Sequence, residues 1–282
     1  MRKTCYFLIV FPMLLGAVSC KKNATEPPPM WQDVKLSDLE PPGDPDSNGL
    51  QPIAGVNLDI HCFELPVDQI KTLGPVWNPL TKQGIRFKNA LSFQGNGLQL
   101  SRTKINKLSW ILGSLEKAQA IKITISSIIL AEDYDSDFMI TALPRSHTIS
   151  FLDMKGDTQS ASVGPGQLNL RLKAQKTKGS PYPNRITGYP MVTVPSHKGI
   201  KKLDQLSRQY EAAFLSSSFS ASVLPGDVFL LGPEEFFGEI TTLGGLFFFN
   251  PQGRFFDSPR AGAPPVAKPT VRVYMILCTR IQ

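Results

Sequence analysis

Between Gln167 and Gln175 the chain reads QLNLRLKAQ. Leu168, Leu170, Leu172 and Ala174 fall on one side of an extended backbone, with Asn169, Arg171 and Lys173 on the other. A period of two held this long marks a strand with one buried face, because a helix would scatter the same apolar residues around its circumference. The pattern recurs. VNLDIHCFELP sets Leu58, Ile60 and Cys62 against Asn57, Asp59 and His61, and AIKITISSIIL alternates at Ile121, Ile123 and Ile125. TVRVYMILCTRI places Val271, Val273, Met275 and Leu277 on one face. GIRFKN, GNGLQLS (Leu98 and Leu100 together), FSASV and DVFLL are shorter strand candidates between Gly, Pro and Ser turns.

Helices are fewer. From Thr103 to Ala118, Ile105, Leu108, Ile111, Leu112 and Leu115 form an apolar stripe at steps of three and four. VDQIKTLGPVW reads as a short helix ended by Pro75 and Pro79, and residues 199–215 carry Leu203, Leu206, Tyr210 and Phe214 at helical spacing. The expected fold class is therefore α+β and strand-dominated. A small strand-helix-strand-strand-helix domain over 53–118 precedes a larger, mainly antiparallel β region over 119–282 containing one helix. Residues 20–52 are rich in Pro, Asp and Ser and read as a flexible tether.

In LGGLFFFNPQGRFFDSP, Phe247, Phe248 and Phe249 precede an NPQG turn, and Phe255 and Phe256 follow it. The first group reads as the inward-packed end of a strand, the second as an apolar cluster covering a sheet edge. Uncovered edges invite pairing with another chain, so these five residues are also the expected subunit contact.

The first nineteen residues, MRKTCYFLIVFPMLLGAVS, join a basic start at Arg2 and Lys3 to an apolar run too short to span a bilayer comfortably. Gly16, Ala17 and Ser19 then lead into Cys20, and the whole resembles a bacterial lipoprotein signal. That resemblance implies a signal over 1–19 and fatty acylation of Cys20 by palmitate-type chains. Lys21 and Lys22, where an aspartate would retain the protein in the inner membrane, imply the outer membrane, with the periplasmic or surface face left open. Loss of Arg2 and Lys3 with the signal lowers the formal charge from +7 to +5, a mildly basic surface and not a nucleic-acid footprint.

Of four cysteines, Cys5 leaves with the signal and Cys20 carries lipid, so Cys62 and Cys278 remain. An oxidising compartment makes them candidates for a disulfide; two buried free thiols are the alternative.

Catalytic patterns do not assemble. His61, His147 and His197 each stand alone, without the close set of ligands a structural zinc needs. There is no G-x-S-x-G elbow, and Ser146-His147 and Ser196-His197 are loop neighbours whose side chains would diverge. Consecutive Glu234 and Glu235 cannot face each other across a sugar. Asp44, Asp46 and Asn48 open like an EF-hand loop, but position twelve is Gly55; the acidic run Glu132 to Asp137 reads as a solvated turn. No catalytic residue, metal or cofactor is expected.

NGLQLSRTKINKLSWILGSLEKA (96–118), in its strand-helix-strand-strand-helix setting, resembles the small periplasmic ring-building domains of bacterial secretins. IKITISSIILAEDYDSDF resembles the strand and acidic turn that open the secretin domain. LNLRLKAQ and ITGYPMVTVPSHKG are similar to its inner strands, and LPGDVFLLGP, TTLGGLFF and VRVYMILCTRI to its closing pattern. Gly232-Pro233 replaces the double glycine after the FLLG strand, and long amphipathic hairpins are missing, so the resemblance implies a shortened relative. The expectation is a non-enzymatic, outer-membrane-anchored lipoprotein with an assembly role in the envelope or a secretion-type complex. It would associate with itself or with an envelope protein and hold the bilayer through Cys20. A monomeric lipoprotein that binds a polymer or small ligand is the alternative.

Overall fold

The computed structural model divides the chain into Met1–Gln51 and Pro52–Gln282, and it describes residues 54–194, 211–233, 241–256 and 265–282 of the second unit. The signal, Cys20, the tether, His197, Glu234, Glu235, the Asp44–Asn48 loop and most of the helix expected over 199–215 lie outside the described residues.

The central strand is β1 (Gly55–Pro66), which pairs antiparallel with the last strand, β14 (Thr270–Ile281), on one side and with β4 (Ile121–Ala131) on the other. Beyond β14 lie β12 (Asp227–Pro233) and then β3 (Leu98–Lys104), completing the order β3-β12-β14-β1-β4; β13 (Phe249–Asn250) joins the start of β14. We call this sheet A. Sheet B has the order β2-β11-β9-β8-β5, from β2 (Ile85–Phe87), β11 (Phe219–Ser222), β9 (Pro183–Thr193), β8 (Gly166–Lys176) and β5 (Asp135–Leu143). A two-residue strand, β10 (Ala212–Ala213), adds to β9, and β6 (His147–Leu152) and β7 (Thr158–Val163) form a separate hairpin. The class is α+β, dominated by antiparallel strands.

The two sheets share one core. Leu58, Ile60, Phe229, Leu231 and Ile276 from sheet A and Phe138, Leu170, Leu172, Ile186 and Phe219 from sheet B belong to a single buried cluster. A second, smaller core lies on the other face of sheet A. There Phe63, Leu65, Val228, Leu230, Val273 and Met275 meet Leu73, Val76, Ile111, Leu115 and Ala118. Those partners come from a 3₁₀ turn at Val67–Leu73 and from the helices α1 (Gly74–Trp77) and α3 (Leu108–Lys117). Alternation in β1 holds up to Cys62 and then gives way to continuous burial from Phe63 to Pro66. The change falls at a register shift against β4 between Cys62 and Phe63, beyond which both faces are covered.

The expected boundary at residue 118 is overturned. β1 and β3, from the supposed small domain, flank the adjacent β12 and β14 in one sheet, so residues 53–118 cannot bury their apolar faces alone. The turn expected between β2 and β3 is a short helix, α2 (Ala90–Gly95), whose first turn is capped by the Asn89 side chain accepting from the Ser92 N–H at 3.0 Å. The phenylalanine run is also helical. Residues 243–248 form α4 (Leu243–Phe248), with Thr242 Oγ1 accepting from the Gly245 N–H at 3.0 Å. Its LGGL sequence has a steric reason: a Cβ on Gly244 would stand 2.6 Å from the Asn96 carbonyl and 2.9 Å from the Cα of Gly97, itself at φ +78°.

Candidate functional site

Two surface features stand out from this frame. The first is the free edge of sheet A. Among the described residues β4 pairs only with β1, so the outward main-chain groups of this eleven-residue strand have no ladder partner, although β4 also lies close to β5 and β8 and a bridge from Glu132 to Ala174 of β8 follows directly on its end. Ile121, Ile125 and Ile129 are 38%, 49% and 59% exposed. The expected inward alternation of Ile121, Ile123 and Ile125 is therefore corrected: the register shift turns the row, and only Ile123 is packed against the main core. Ile125 lies opposite His61 and Ile129 opposite Asn57, on the part of sheet A that the helices leave bare. Between them the Ser127 hydroxyl donates to Asp59 Oδ1 at 2.5 Å. Burial and the neighbouring Lys122 ammonium hold the His61 imidazole below its ordinary pKa, with Asp59 pulling the other way.

The second feature is a shallow open groove of about 370 Å³ on the outer face of sheet B. β2 supplies Arg86 and Lys88 follows it; Arg86 lies opposite Ser220 of β11, which lies opposite Thr187 of β9. Tyr189, Ser218 and the exposed Leu215 complete the lining that matters. Farther across the same face, cations meet carboxylates. Arg171 grips Asp137 through two 2.7 Å hydrogen bonds, Lys173 reaches Asp133 at 3.6 Å and Lys176 reaches Glu132 at 2.7 Å. The Asp137 hydrogen bonds push the Arg171 pKa further up. The acidic run 132–137 is thus one side of an ion-paired seam in addition to a turn. Arg86 and Lys88 are exposed, and no carboxylate of the described residues pairs with either.

Inside, two carboxylates hold the architecture. Glu64, 1% exposed, accepts from the Arg254 N–H at 2.9 Å and the Thr270 hydroxyl at 2.8 Å, with Arg272 Nε at 3.9 Å. It ties the turn after β13 to β14. Asp227, fully buried, is ion-paired with Arg102 and Lys104 of β3 and accepts from the Leu224 N–H. Both groups brace separate parts of sheet A from inside the fold. Asn96 similarly secures the β6-β7 hairpin: its Oδ1 accepts from the Leu152 N–H at 2.5 Å and its Nδ2 donates to the Leu152 carbonyl at 3.0 Å.

The residues singled out in the sequence are dispersed. Cys62 and Cys278 are both free and buried, which overturns the disulfide in favour of the alternative. Cys62 lies opposite Tyr274 and Cys278 opposite Leu58 on the same strand pair, so about four residue steps, ~13 Å, separate them, against the ~7 Å limit for bridging. Desolvation pushes each thiol up to about 11. Phe247 and Phe248 are 1% exposed, and their rings stand 5.9 and 6.3 Å from that of Tyr274. They are core, which corrects their role as a subunit contact; Phe249 and Phe255 are half-buried, and only Phe256 is well exposed, at 60%. His147 opens β6, and the neighbouring Ser146 hydroxyl donates to the Gly164 carbonyl in a turn. The groove was not anticipated, although Ile85, Arg86, Phe87 and Lys88 alternate in a way that sets both cations on one face.

No family model, curated protein or solved structure matches the chain; the chemistry of both features therefore rests on the residues that form them.

Proposed function

We propose that this chain is a non-enzymatic lipoprotein, anchored in the outer membrane through acylated Cys20, whose body joins an envelope assembly by strand pairing at β4. The observation that carries this reading is the edge itself. Natural sheets protect such edges with short strands, charges, prolines or covering loops. β4 runs eleven residues with Lys122 as its one charged side chain, and it displays Ile125 and Ile129 on the bare part of sheet A. An added antiparallel strand would satisfy its main chain and cover those isoleucines together. The same edge on a second copy is self-complementary about a two-fold axis, and a second copy is the partner we assign. The secretin resemblance enters only as an expectation of assembly. A body in one piece favours a single edge-to-edge contact over stacked ring domains.

The test is the solution mass of residues 52–282 by light scattering after gel filtration, beside the variant Ile125→Lys. A dimer that the variant converts to a monomer, with unchanged thermal unfolding of the monomer, is expected. A wild-type monomer at tens of micromolar (~10⁻⁵ M, where a weak specific interface would already be populated) defeats self-pairing. The groove on sheet B favours a second reading, a ligand-binding lipoprotein, and it leads to a more specific inference.

A further inference from the structure

We propose that the groove between β2, β11 and β9 binds a free phosphorylated sugar. Three observations converge on that chemistry. The first is charge: Arg171, Lys173 and Lys176, farther across sheet B, each have a carboxylate partner, whereas Arg86 and Lys88, like the half-buried Arg185 of β9, have none among the described residues, and Arg86 and Lys88 are the two that line the groove. Arg86 on β2 and Lys88 just past its end are two positions apart in near-extended chain, ~7 Å, a spacing that lets both reach one phosphate. The second is hydroxyl density. Thr187, Tyr189, Ser218 and Ser220 share the lining, with no acidic side chain among them. These groups both donate and accept, as sugar hydroxyls require. The third is the apolar part of the wall, where exposed Leu215 and the Tyr189 ring offer a surface for the C–H face of a pyranose. A bare anion would use only the first of these features and a neutral sugar only the other two.

Charge on the edge strand β2 also discourages strand pairing there, and the two roles are compatible. The groove lies on sheet B and the assembly edge on sheet A, so either can fail without the other.

The experiment is a titration of isotope-labelled residues 52–282, followed through backbone amide shifts, with glucose 6-phosphate, glucose, inorganic phosphate and phosphatidylglycerol vesicles as separate probes. Saturable shifts at Arg86, Lys88, Thr187 and Tyr189 with glucose 6-phosphate are expected, with at least about tenfold weaker responses to glucose and to phosphate. Arg86→Ala and Lys88→Ala should each weaken the sugar phosphate about tenfold, while Lys82→Ala, exposed but outside the lining, leaves it unchanged. Both positions are exposed, so the variants fold. An equal response to inorganic phosphate would reduce the groove to a counterion site and overturn the proposal. So would shifts elsewhere on the body, insensitivity to both substitutions, or vesicle binding without any response to the sugar phosphate.

Discussion

Sheet A and sheet B meet solvent in opposite ways. Sheet B faces water with its own side chains: the Arg171–Asp137, Lys173–Asp133 and Lys176–Glu132 pairs run along β8, and its edge strand β2 has three residues and carries Arg86. Sheet A depends on other elements. The 3₁₀ turn, α1 and α3 cover the end of its outer face around Phe63, Leu65 and Met275, and the other end, around Ile125 and Ile129, has no cover among the described residues. One sheet is finished by polar chemistry, the other by burial that stops partway. On that asymmetry rest both proposals, the assembly contact on sheet A and the ligand groove on sheet B.

The largest expected effect tests the source of each sheet's stability. Ile111 of α3 is fully buried against sheet A, so Ile111→Ala should cost about 2–5 kcal/mol through lost burial and a residual cavity. Asp137→Ala breaks the best-formed ion pair of sheet B, yet it should cost less than about 1 kcal/mol because the pair is partly exposed. Urea midpoints at constant m-value measure both. Comparable losses would mean that the ion-paired seam is structural to the same degree as the helical layer, and the contrast would fall.

The legible parts of the fold are those in which one strand's pattern contains its own answer. β1 and β8 alternate because each has one face on the core, and α3 shows its buried stripe at Ile111 and Leu115. Pairing partners are another matter. β3 finds β12 more than a hundred residues later, and no local pattern distinguishes that sheet from two separate domains. β4 looks inward from its sequence alone, but an edge position and a one-residue register shift leave Ile121 and Ile125 exposed. The phenylalanine run reads as strand from composition, but Phe247 and Phe248 end a helix capped by Thr242, and only the bare Gly244 lets that helix approach Gly97. The groove needs β2, β11 and β9 side by side, and no single stretch of sequence states that pairing.

A second, smaller effect sharpens the comparison from inside sheet A. Cys62 lies on its inner face, and burial raises its thiol from 9.0 to about 11. The unfolded chain therefore ionises first. The stabilisation is complete below about pH 9, shrinks as pH rises and is gone above about 11, a loss on the order of 2 kcal/mol for Cys62. Cys278 shifts in the same direction. Unfolding followed between pH 8 and 11 should show this decline in wild type and a shallower one in Cys62→Ala. Below that range both thiols should resist a disulfide-exchange reagent until the protein unfolds. Rapid labelling of the native protein would mean that the core of sheet A opens on its own.

The smallest effect bears most directly on what covers the bare end of sheet A. His61 lies opposite Ile125, and its imidazole is held below 6.5 by partial burial and by Lys122, while Asp59 opposes them. The folded state thus disfavours the imidazolium, so His61 costs the body some stability as pH falls below 6.5 and nothing above it. A strand added at β4 would remove more water from the ring without supplying an acid, since β4 itself carries none. Desolvation would deepen and the pKa would fall further. Association should therefore weaken as pH drops from 7 toward 5, and the His61 ring protons should titrate at lower pH in concentrated than in dilute samples. In Ile125→Lys the concentration dependence should disappear, although the added ammonium keeps the imidazole pKa low by repulsion. If His61 titrates identically at every concentration while the wild-type protein is a dimer, the second copy sits elsewhere, and β4 loses its place as the contact.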